Sequence, residues 1–223
     1  PLTVELIAGH LKGEGGVGSI PINENNECKF GALDIDQYPL DLAAIDKKLR
    51  KMEVPAVVCR SKSGGAHIFF FFTEWMEAAD FRDKAAEIAA ALGHGRCEIF
   101  PKQEQVLVER GDVGNFINLP YFDAEKTLRF GIWKEKSKYV EATLEQFIDR
   151  VHKTKCDPKK FMEISVGGKP NLFPGYVPCL RALLGMGIHE GGRKKTAFQL
   201  GVFLKRSEPN DWKAQLEQLN VKH

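Results

Sequence analysis

Residues 30–36 read Phe-Gly-Ala-Leu-Asp-Ile-Asp, a short apolar strand pattern that carries two carboxylates at positions i and i+2. Alternate residues of a strand point to the same side of a sheet, so Asp34 and Asp36 share one face. Two like charges side by side are costly unless a cation neutralises them, and Mg²⁺ usually takes one or two carboxylates together with substrate phosphates. A divalent metal ion is therefore the expected partner. The alternative is that the strand ends at Leu33 and that both acids are solvated loop residues.

The segments around this strand predict the element order β-α-β-β-α-β. Helical spacing and short β-rich runs predict, in chain order, strand 30–36, helix 40–51, strands 56–60 and 66–72, helix 77–92 and strand 96–100. This order is typical of the ferredoxin-like fold, an α+β fold that RRM domains share. It places strand 30–36 between the third and fourth strands, so side chains from these three strands could meet on one face.

Further elements are predicted on both sides of this unit. They are a helix over 1–11, a strand over 19–22, a strand over 115–119, a basic connection over 122–139, a helix over 143–153 capped by Thr143, a Gly- and Pro-rich linker over 158–176, and helices over 178–184, 193–205 and 210–219. A domain boundary is expected near residue 160. It separates a larger α+β domain, residues 1–160, from a small helical domain, residues 161–223.

The formal net charge of +2 hides a strong sorting of charge along the chain. The first 125 residues carry 13 basic and 20 acidic residues, a net charge of −7, whereas residues 126–160 carry +5 and residues 161–223 carry +4. Such asymmetry is typical of an acidic unit followed by a basic surface that can track phosphates. The alternative is a set of Lys-rich solvated loops.

Cysteine and apolar patterns indicate the compartment. The five cysteines are odd in number, far apart and without a CxxC pair, which favours a reducing compartment and argues against a zinc ribbon. The longest apolar run, residues 68–72, is far shorter than the ~20 residues that cross a bilayer. We therefore expect a cytoplasmic protein without a membrane partner and without zinc.

A second stretch, residues 60–67, reads Arg-Ser-Lys-Ser-Gly-Gly-Ala-His and connects the second predicted strand to the third. Its two glycines let backbone N–H groups approach a polyphosphate closely, while Lys62 adds charge and Ser63 adds a hydroxyl donor. His67 stands at the start of the third strand. The alternative is a Ser/Gly hairpin turn with an incidental histidine.

A third stretch, residues 98–103, reads Glu-Ile-Phe-Pro-Lys-Gln, in which Glu98 interrupts a short apolar strand. This strand is predicted to lie beside the strand of Asp34, so Glu98 could complete a three-carboxylate metal site. Lys102 could reach phosphate. The alternative is a surface glutamate on an edge strand.

A fourth stretch, residues 114–121, reads Gly-Asn-Phe-Ile-Asn-Leu-Pro-Tyr. It places two asparagines on a predicted strand, either as positioning groups or as turn residues. The first three stretches are predicted to converge on one sheet face, which favours a built site over coincidence.

Taken in order, these residues resemble the archaeo-eukaryotic primase (AEP) superfamily, the primase-polymerases of phages, plasmids and mobile elements. Residues 33–36 are similar to the family's first motif, residues 63–67 to its second, and Glu98 to its third acidic motif. The stretches at 98–103 and 114–121 resemble the primases of phage replication modules and of TOTE-type conflict systems.

The chain departs from the family pattern at two positions. Gly65 stands where the second motif usually has a serine, and Glu98 stands where many members have an aspartate. The first departure puts in question which hydroxyl serves the second motif, Ser63 being one candidate. The resemblance therefore supports metal ligation by Asp34 and Asp36 more strongly than ligation by Glu98.

The resemblance implies an RRM-like catalytic core over residues 1–160, followed by a small helical primase domain over residues 161–223. It implies a DNA primase or primase-polymerase, a template-directed nucleotidyltransferase that uses two divalent metal ions. The implied metal ligands are Asp34, Asp36 and Glu98, which would hold Mg²⁺ or Mn²⁺. The implied nucleotide-binding residues are Lys62, Ser63, Gly64, Gly65 and His67, with Arg60 and Lys102 as weaker phosphate contacts.

The implied partners are a single-stranded DNA template, a primer, and NTPs or dNTPs, with a helicase domain or subunit of the same replication module as a further partner. The basic stretch after residue 125 would hold template or primer backbone without sequence preference. The chain is expected to be a monomer in the cytoplasm of a bacterial cell or phage-infected host.

Two other functions fit part of the pattern. Acid pairs with a histidine also serve metal-dependent nucleases. A non-catalytic RRM-like module would instead stack bases on sheet aromatics, but the RNP1 pattern of basic, Gly and aromatic residues is missing and carboxylates repel phosphates.

Overall fold

The computed structural model describes residues 2–166, 198, 200–205, 213 and 216. The chain divides into two compact units, residues 1–167 and 168–223. Residues 200–205 are helical, and the rest of the linker and helices predicted beyond residue 166 lies almost wholly outside the described residues. Within the described residues, none of the helices combines the length and apolar character that a membrane crossing requires.

The first unit is a mixed α/β structure. The helices described in it are α1 (Val4–Leu11), α2 (Leu42–Lys51), α3 (Ala78–Leu92), α4 (Leu144–Thr154) and α5 (Pro158–Glu163), with a 3-10 turn at Val108–Arg110. The strands are β1 (Gly18–Ser19), β2 (Glu27–Ile35), β3 (Val57–Arg60), β4 (Ala66–Glu77), β5 (Glu98–Phe100), β6 (Ile117–Asn118), β7 (Ile132–Glu135) and β8 (Lys138–Glu141).

Local sequence explains where the helices begin and end. Thr3, Asp41 and Asp157 accept first-turn N–H groups of α1, α2 and α5. The predicted Thr143 cap is confirmed, because its side chain and that of Gln146 form a reciprocal capping box. Gly93, with φ 92°, ends α3 in the left-handed conformation that glycine adopts without a steric penalty.

The central sheet has the strand order β3-β4-β2-β5, and every neighbouring pair is antiparallel. The strand that carries Asp34 therefore lies between the third and fourth strands of the β-α-β-β-α-β unit, as the element order predicted. Asp34 lies within β2, so the alternative that this strand ends at Leu33 is wrong. Asp36 follows the last strand residue and is exposed.

One face of this sheet packs against helices. Alternate apolar residues of β2 and β4 on this face join α2, α3 and α5 in the main hydrophobic core. Phe70 and Phe72 meet the rings of Phe81 on α3 and Phe161 on α5 at centroid distances of 5.0–5.8 Å. Gly31 is required here because a Cβ at this position would collide with the Phe81 ring.

The opposite face carries a second, smaller core. Its cross-strand row of Val57, Phe69, Ala32 and Phe100 is buried beneath Ile117 of β6. Phe147 of α4 packs against the same cluster. The run of phenylalanines at 69–72 therefore contributes to both faces.

Two predicted irregular segments contain regular structure. The basic connection over 122–139 includes β7 and runs into its hairpin partner β8, which the sequence pattern missed because most hairpin side chains are exposed. The linker predicted from residue 158 begins with α5, whose buried side chain is that of Phe161. One buried residue in six gives too little periodicity to predict a helix.

Candidate active site

A row of polar side chains crosses the sheet one step beyond the second core. In the sheet register, Asp34 on β2 pairs with His67 on β4 and with Glu98 on β5, and His67 pairs with Cys59 on β3. Residues directly opposite each other on antiparallel strands share a face, with Cβ atoms about 4.5–5.5 Å apart. The sheet therefore brings together one predicted residue from each of the three motifs.

Asp34 sits at the centre of this row. Its Oδ1 lies 3.4 Å from Nε2 of His67, and about one sixth of its side chain is exposed. The same oxygen is buried and has no hydrogen-bond donor. An anionic oxygen without a donor in a part-buried site is costly and is a natural position for a cation.

His67 is held between Asp34 and the aromatic core. Its ring makes an edge contact with Phe69 at a centroid distance of 5.9 Å. Only 13 % of its side chain is exposed, so most of the ring is shielded from solvent.

Asp36 continues the first motif outside the sheet. Its Oδ1 accepts a hydrogen bond from the Tyr38 hydroxyl at 2.8 Å. The Ser63 hydroxyl, which bonds to the same tyrosine, lowers the pKa of Tyr38. The hydrogen bond to Asp36, desolvation and the charges of Asp36 and Asp34 together raise this pKa by more, so the net shift is upward. Tyr38 thus links the first motif to the exposed turn of the second.

The β3–β4 connection is a tight turn. The N–H of Gly64 donates to the Ser61 carbonyl at 3.1 Å, and the N–H of Ser61 donates to the Gly65 carbonyl at 2.9 Å. These two N–H groups are therefore used within the turn and do not face a ligand. Lys62 and Ser63 are exposed at its tip.

Arg60 braces this turn. Its Nη1 donates to the carbonyl of Leu128 at 2.9 Å and to that of Ser61 at 3.2 Å. The guanidinium thus joins the turn to the segment before β7, a structural contact that the sequence did not indicate.

The backbone explains the departure at Gly65. A Cβ at this position would collide with the carbonyl oxygen of Ile35, so no serine fits here without moving a strand. The same Cβ position lies 3.3 Å from Oγ of Ser61, a buried hydroxyl that has no hydrogen-bond partner. A hydroxyl therefore lies beside position 65 although position 65 has no side chain.

Glu98 is the most accessible member of the row. Its Oε2 lies 2.7 Å from Nζ of Lys102, and 54 % of the glutamate side chain is exposed. Lys102 also lies over the Phe100 ring, 5.0 Å from its centroid. Lys102 therefore partly neutralises Glu98, and this exposed pair can separate at little cost.

A comparison with protein families identifies the family of the domain that carries this site. The family model of the archaeo-eukaryotic primase domain of TOTE conflict systems matches residues 1–159. The chain belongs to this family. The resemblance to the AEP superfamily of mobile elements is thereby confirmed, and no curated protein matches the chain.

The AEP domain's acidic residues fit a divalent metal in chemistry, but their side chains are not gathered around one point. Among the described residues, no group of three or more His, Cys, Asp or Glu side chains is close enough to hold an ion. The unpartnered Oδ1 of Asp34 and the oxygen-only set of Asp34, Asp36 and Glu98 match the preference of Mg²⁺ and Mn²⁺. Glu98 would have to leave Lys102 to join them.

Three residues at the AEP site were not found from the sequence. Cys59 completes the cross-strand row, Tyr38 binds Asp36, and Ser61 supplies the hydroxyl beside Gly65. Strand alternation through β3 could have indicated Cys59. Nothing in the local sequence distinguishes Ser61 from Ser63, because the distinction lies in how the turn packs on the end of β2.

Proposed function

We propose that this AEP domain is a DNA primase-polymerase, a template-directed nucleotidyltransferase that makes or extends primers on single-stranded DNA from NTPs or dNTPs. The observation that carries the proposal is the cross-strand row of Asp34, His67 and Glu98, with a buried Asp34 oxygen that lacks a donor. The RRM-like class of the sheet and a helical primase domain after it are parts of the same proposal.

The acidic residues would hold Mg²⁺ or Mn²⁺. Asp34 and Asp36 are the first ligands we propose, and Glu98 is the third. When bound, two such ions would activate a 3′-hydroxyl and stabilise the pyrophosphate leaving group. Lys102 would then be released from Glu98, and its ammonium group could contact a phosphate oxygen.

The residues on the β4 side of Asp34 would bind the incoming triphosphate. His67 is oriented by the Phe69 ring and lies beside Asp34, so its ring can donate to a phosphate oxygen next to the metal position. Lys62 and Ser63 would contact the outer phosphates from the exposed turn. Arg60 would act mainly by holding that turn in place.

The template strand would lie on basic surface after residue 125. Lys134, Lys136 and Lys138 are exposed on the β7–β8 hairpin. Contacts from lysines to phosphates carry little sequence information, which suits a polymerase that accepts many templates. A helicase domain or subunit is the proposed source of that single strand.

The decisive experiment compares the wild type with Asp34→Asn and Asp149→Asn. The assay contains single-stranded DNA, labelled NTPs or dNTPs, and Mg²⁺ or Mn²⁺, with and without a primer. Asp149 is a matched control because it is an exposed carboxylate paired with Lys153 on α4. We expect metal-dependent product growth that Asp34→Asn reduces at least 100-fold and Asp149→Asn leaves unchanged, as befits loss of one electrostatic contact to the reacting groups.

Two other outcomes would overturn the proposal. Metal-dependent shortening of the template would identify a nuclease. DNA binding without any product, unaffected by Asp34→Asn, would identify a binding module. The second outcome is disfavoured by the sheet itself, because Phe69 and Phe100 are buried and cannot offer ring faces to bases.

A further inference from the structure

Phe116 is an exposed aromatic residue that immediately precedes β6. Its side chain is 60 % exposed, whereas the next residue, Ile117, is 2 % exposed and packs in the second core beside Phe69 and Phe100. Burial of Ile117 anchors β6, and the residue before it, Phe116, is left exposed to solvent. The ring is therefore exposed beside a strand that is anchored in the second core.

A glycine on the partner strand supports this ring. In the β1–β6 pair Gly18 lies opposite Asn118, and a Cβ at Gly18 would collide with Cδ2 of Phe116. One part of the Phe116 ring thus occupies the space that a side chain at position 18 would need. The absence of a side chain at Gly18 makes room for the ring, most of which stays exposed.

An amide pair ties this strand to the candidate active site. Gln103 Nε2 donates to Oδ1 of Asn115 at 2.5 Å, and the N–H of Asn115 donates to Oε1 of Gln103 at 3.2 Å. Gln103 directly follows Lys102, which contacts Glu98. The segment that carries the exposed ring is therefore hydrogen-bonded to Gln103, the residue after Lys102, and Lys102 pairs with Glu98 of the third acidic motif.

We propose that Phe116 is a stacking platform for one base of a single-stranded nucleic acid entering the site. An exposed ring on a segment that is hydrogen-bonded to the residue after Lys102 offers what sequence-independent stacking needs at a site for polynucleotide chemistry, because every base has a flat π face. The polar amides beside the ring suit a heterocyclic base better than an apolar protein surface. The inference rests on the proposed function, since it assumes that single-stranded DNA is the substrate.

The test measures binding without synthesis. A short oligothymidylate that carries one 2-aminopurine, whose fluorescence falls on stacking, is titrated with wild-type protein in chelator and without nucleotides. We expect Phe116→Ala to weaken binding about 5- to 150-fold and to abolish the quenching. Phe116→Tyr should bind like the wild type, whereas Phe116→Leu, which keeps apolar contact without a π face, should bind like Phe116→Ala.

Two further variants separate stacking from folding. Gly18→Ala retains Phe116 but displaces its ring, so it should also lose quenching while thermal unfolding changes little. Trp75→Ala is the matched control, because Trp75 is 48 % exposed and lies eight residues along β4 from His67, roughly 25 Å away. We expect Trp75→Ala to bind like the wild type.

The outcomes distinguish this inference from the proposed function. Full binding and quenching by Phe116→Leu would overturn the platform, even if Asp34→Asn abolishes synthesis. A change in oligomeric state on mutation of Phe116, with unchanged DNA binding, would also overturn it in favour of a protein contact. Persistent stacking in a protein that makes no product would refute the polymerase proposal alone.

Discussion

The two faces of the β3-β4-β2-β5 sheet are built from alternate residues of the same strands but differ in chemistry. On the helix-covered face, Leu33 and Ile35 are 0–1 % exposed and join an unbroken apolar core. On the other face, Asp34 follows Ala32 and an apolar row gives way to a polar one. One face is therefore wholly apolar, whereas the other combines a smaller core with the polar row of the candidate site.

Adjacent residues of one strand therefore have different roles, since one packs in the helix-covered core and the next lies in the candidate site. Because strand side chains alternate, a one-residue slip of β2 would send Asp34 into the helix-facing core and expose Leu33 and Ile35. The cost of burying an unpaired carboxylate and of exposing two large apolar side chains makes the register of β2 strongly specified. The site and the core are thus fixed by the same alternation.

The largest effect on stability is expected on the helix-covered face. Phe161→Ala removes a ring that is 0 % exposed and contacts the rings of Phe70, Phe72 and Phe81. We expect a loss of about 3–5 kcal/mol in the free energy of unfolding, from lost burial plus the cavity left behind. Urea denaturation of the purified protein measures it.

The neighbouring residue provides the control for this prediction. Met162→Ala changes a side chain that is 38 % exposed on the same helix and should cost well under 1 kcal/mol. An equal loss in the free energy of unfolding for the two variants would show that α5 is not an integral part of the core. The helix-covered face would then not be the more stabilising of the two faces.

A smaller effect is expected where the polar row meets the end of β2. Gly65→Ala forces a Cβ against the Ile35 carbonyl and should cost about 1–3 kcal/mol by overpacking. We expect this strain to shift His67 relative to Asp34. The variant should therefore lose primer synthesis under conditions in which urea denaturation shows that it is still folded. Urea denaturation and the primer assay measure the two effects.

Gly16→Ala is the control, since a Cβ at Gly16 has nothing within 4 Å and its backbone lies outside the left-handed region. A Gly65→Ala protein as stable and active as Gly16→Ala would show that the turn adapts freely. Position 65 could then have carried the family's serine, and the structural explanation of its absence would be wrong.

The helix that covers the second core should respond more weakly. Thr143→Ala removes one half of the capping box of α4, whose Phe147 packs on that core. We expect a loss of about 1 kcal/mol in the free energy of unfolding. Thr143→Ser keeps the hydroxyl and should restore most of it, and an unchanged midpoint for Thr143→Ala in urea would contradict the role of this cap.

The sequence predicts the β-α-β-β-α-β unit well because each of its elements has a strong period. Leu33 and Ile35 alternate with Ala32 and Asp34, and α3 ends at a glycine, so element type follows from local pattern. The β7–β8 hairpin and α5 escape prediction because their few buried side chains leave no clear period. Their positions are set by contacts with distant residues.

The candidate site divides in the same way. Residues on strands, such as Asp34 and His67, can be placed from the sequence because the sheet register fixes their neighbours. The contacts of Arg60 with Leu128 and of Gln103 with Asn115 join segments 68 and 12 residues apart. No local pattern encodes such contacts, so the roles of these two residues emerge only from the folded chain.

The smallest predicted effect connects the two faces directly. Cys97 packs against the helix-side core, and its pKa is raised to about 11 by burial and by the negative charge of Asp34 on the opposite face. Replacing Asp34 with asparagine removes that charge and lowers the pKa of Cys97, so at pH 9 a larger fraction of the thiol is ionised. Because the thiolate is the form that reacts, alkylation of Cys97 should be faster in Asp34→Asn than in the wild type. Mass spectrometry of iodoacetamide-treated protein in chelator follows this site separately from Cys28 and Cys59, which are buried and should stay unmodified in both proteins.

Asp149→Asn should leave the rate of Cys97 alkylation unchanged. An equal or slower rate in Asp34→Asn would mean that the charge of Asp34 does not influence the pKa of Cys97 on the opposite face of the sheet.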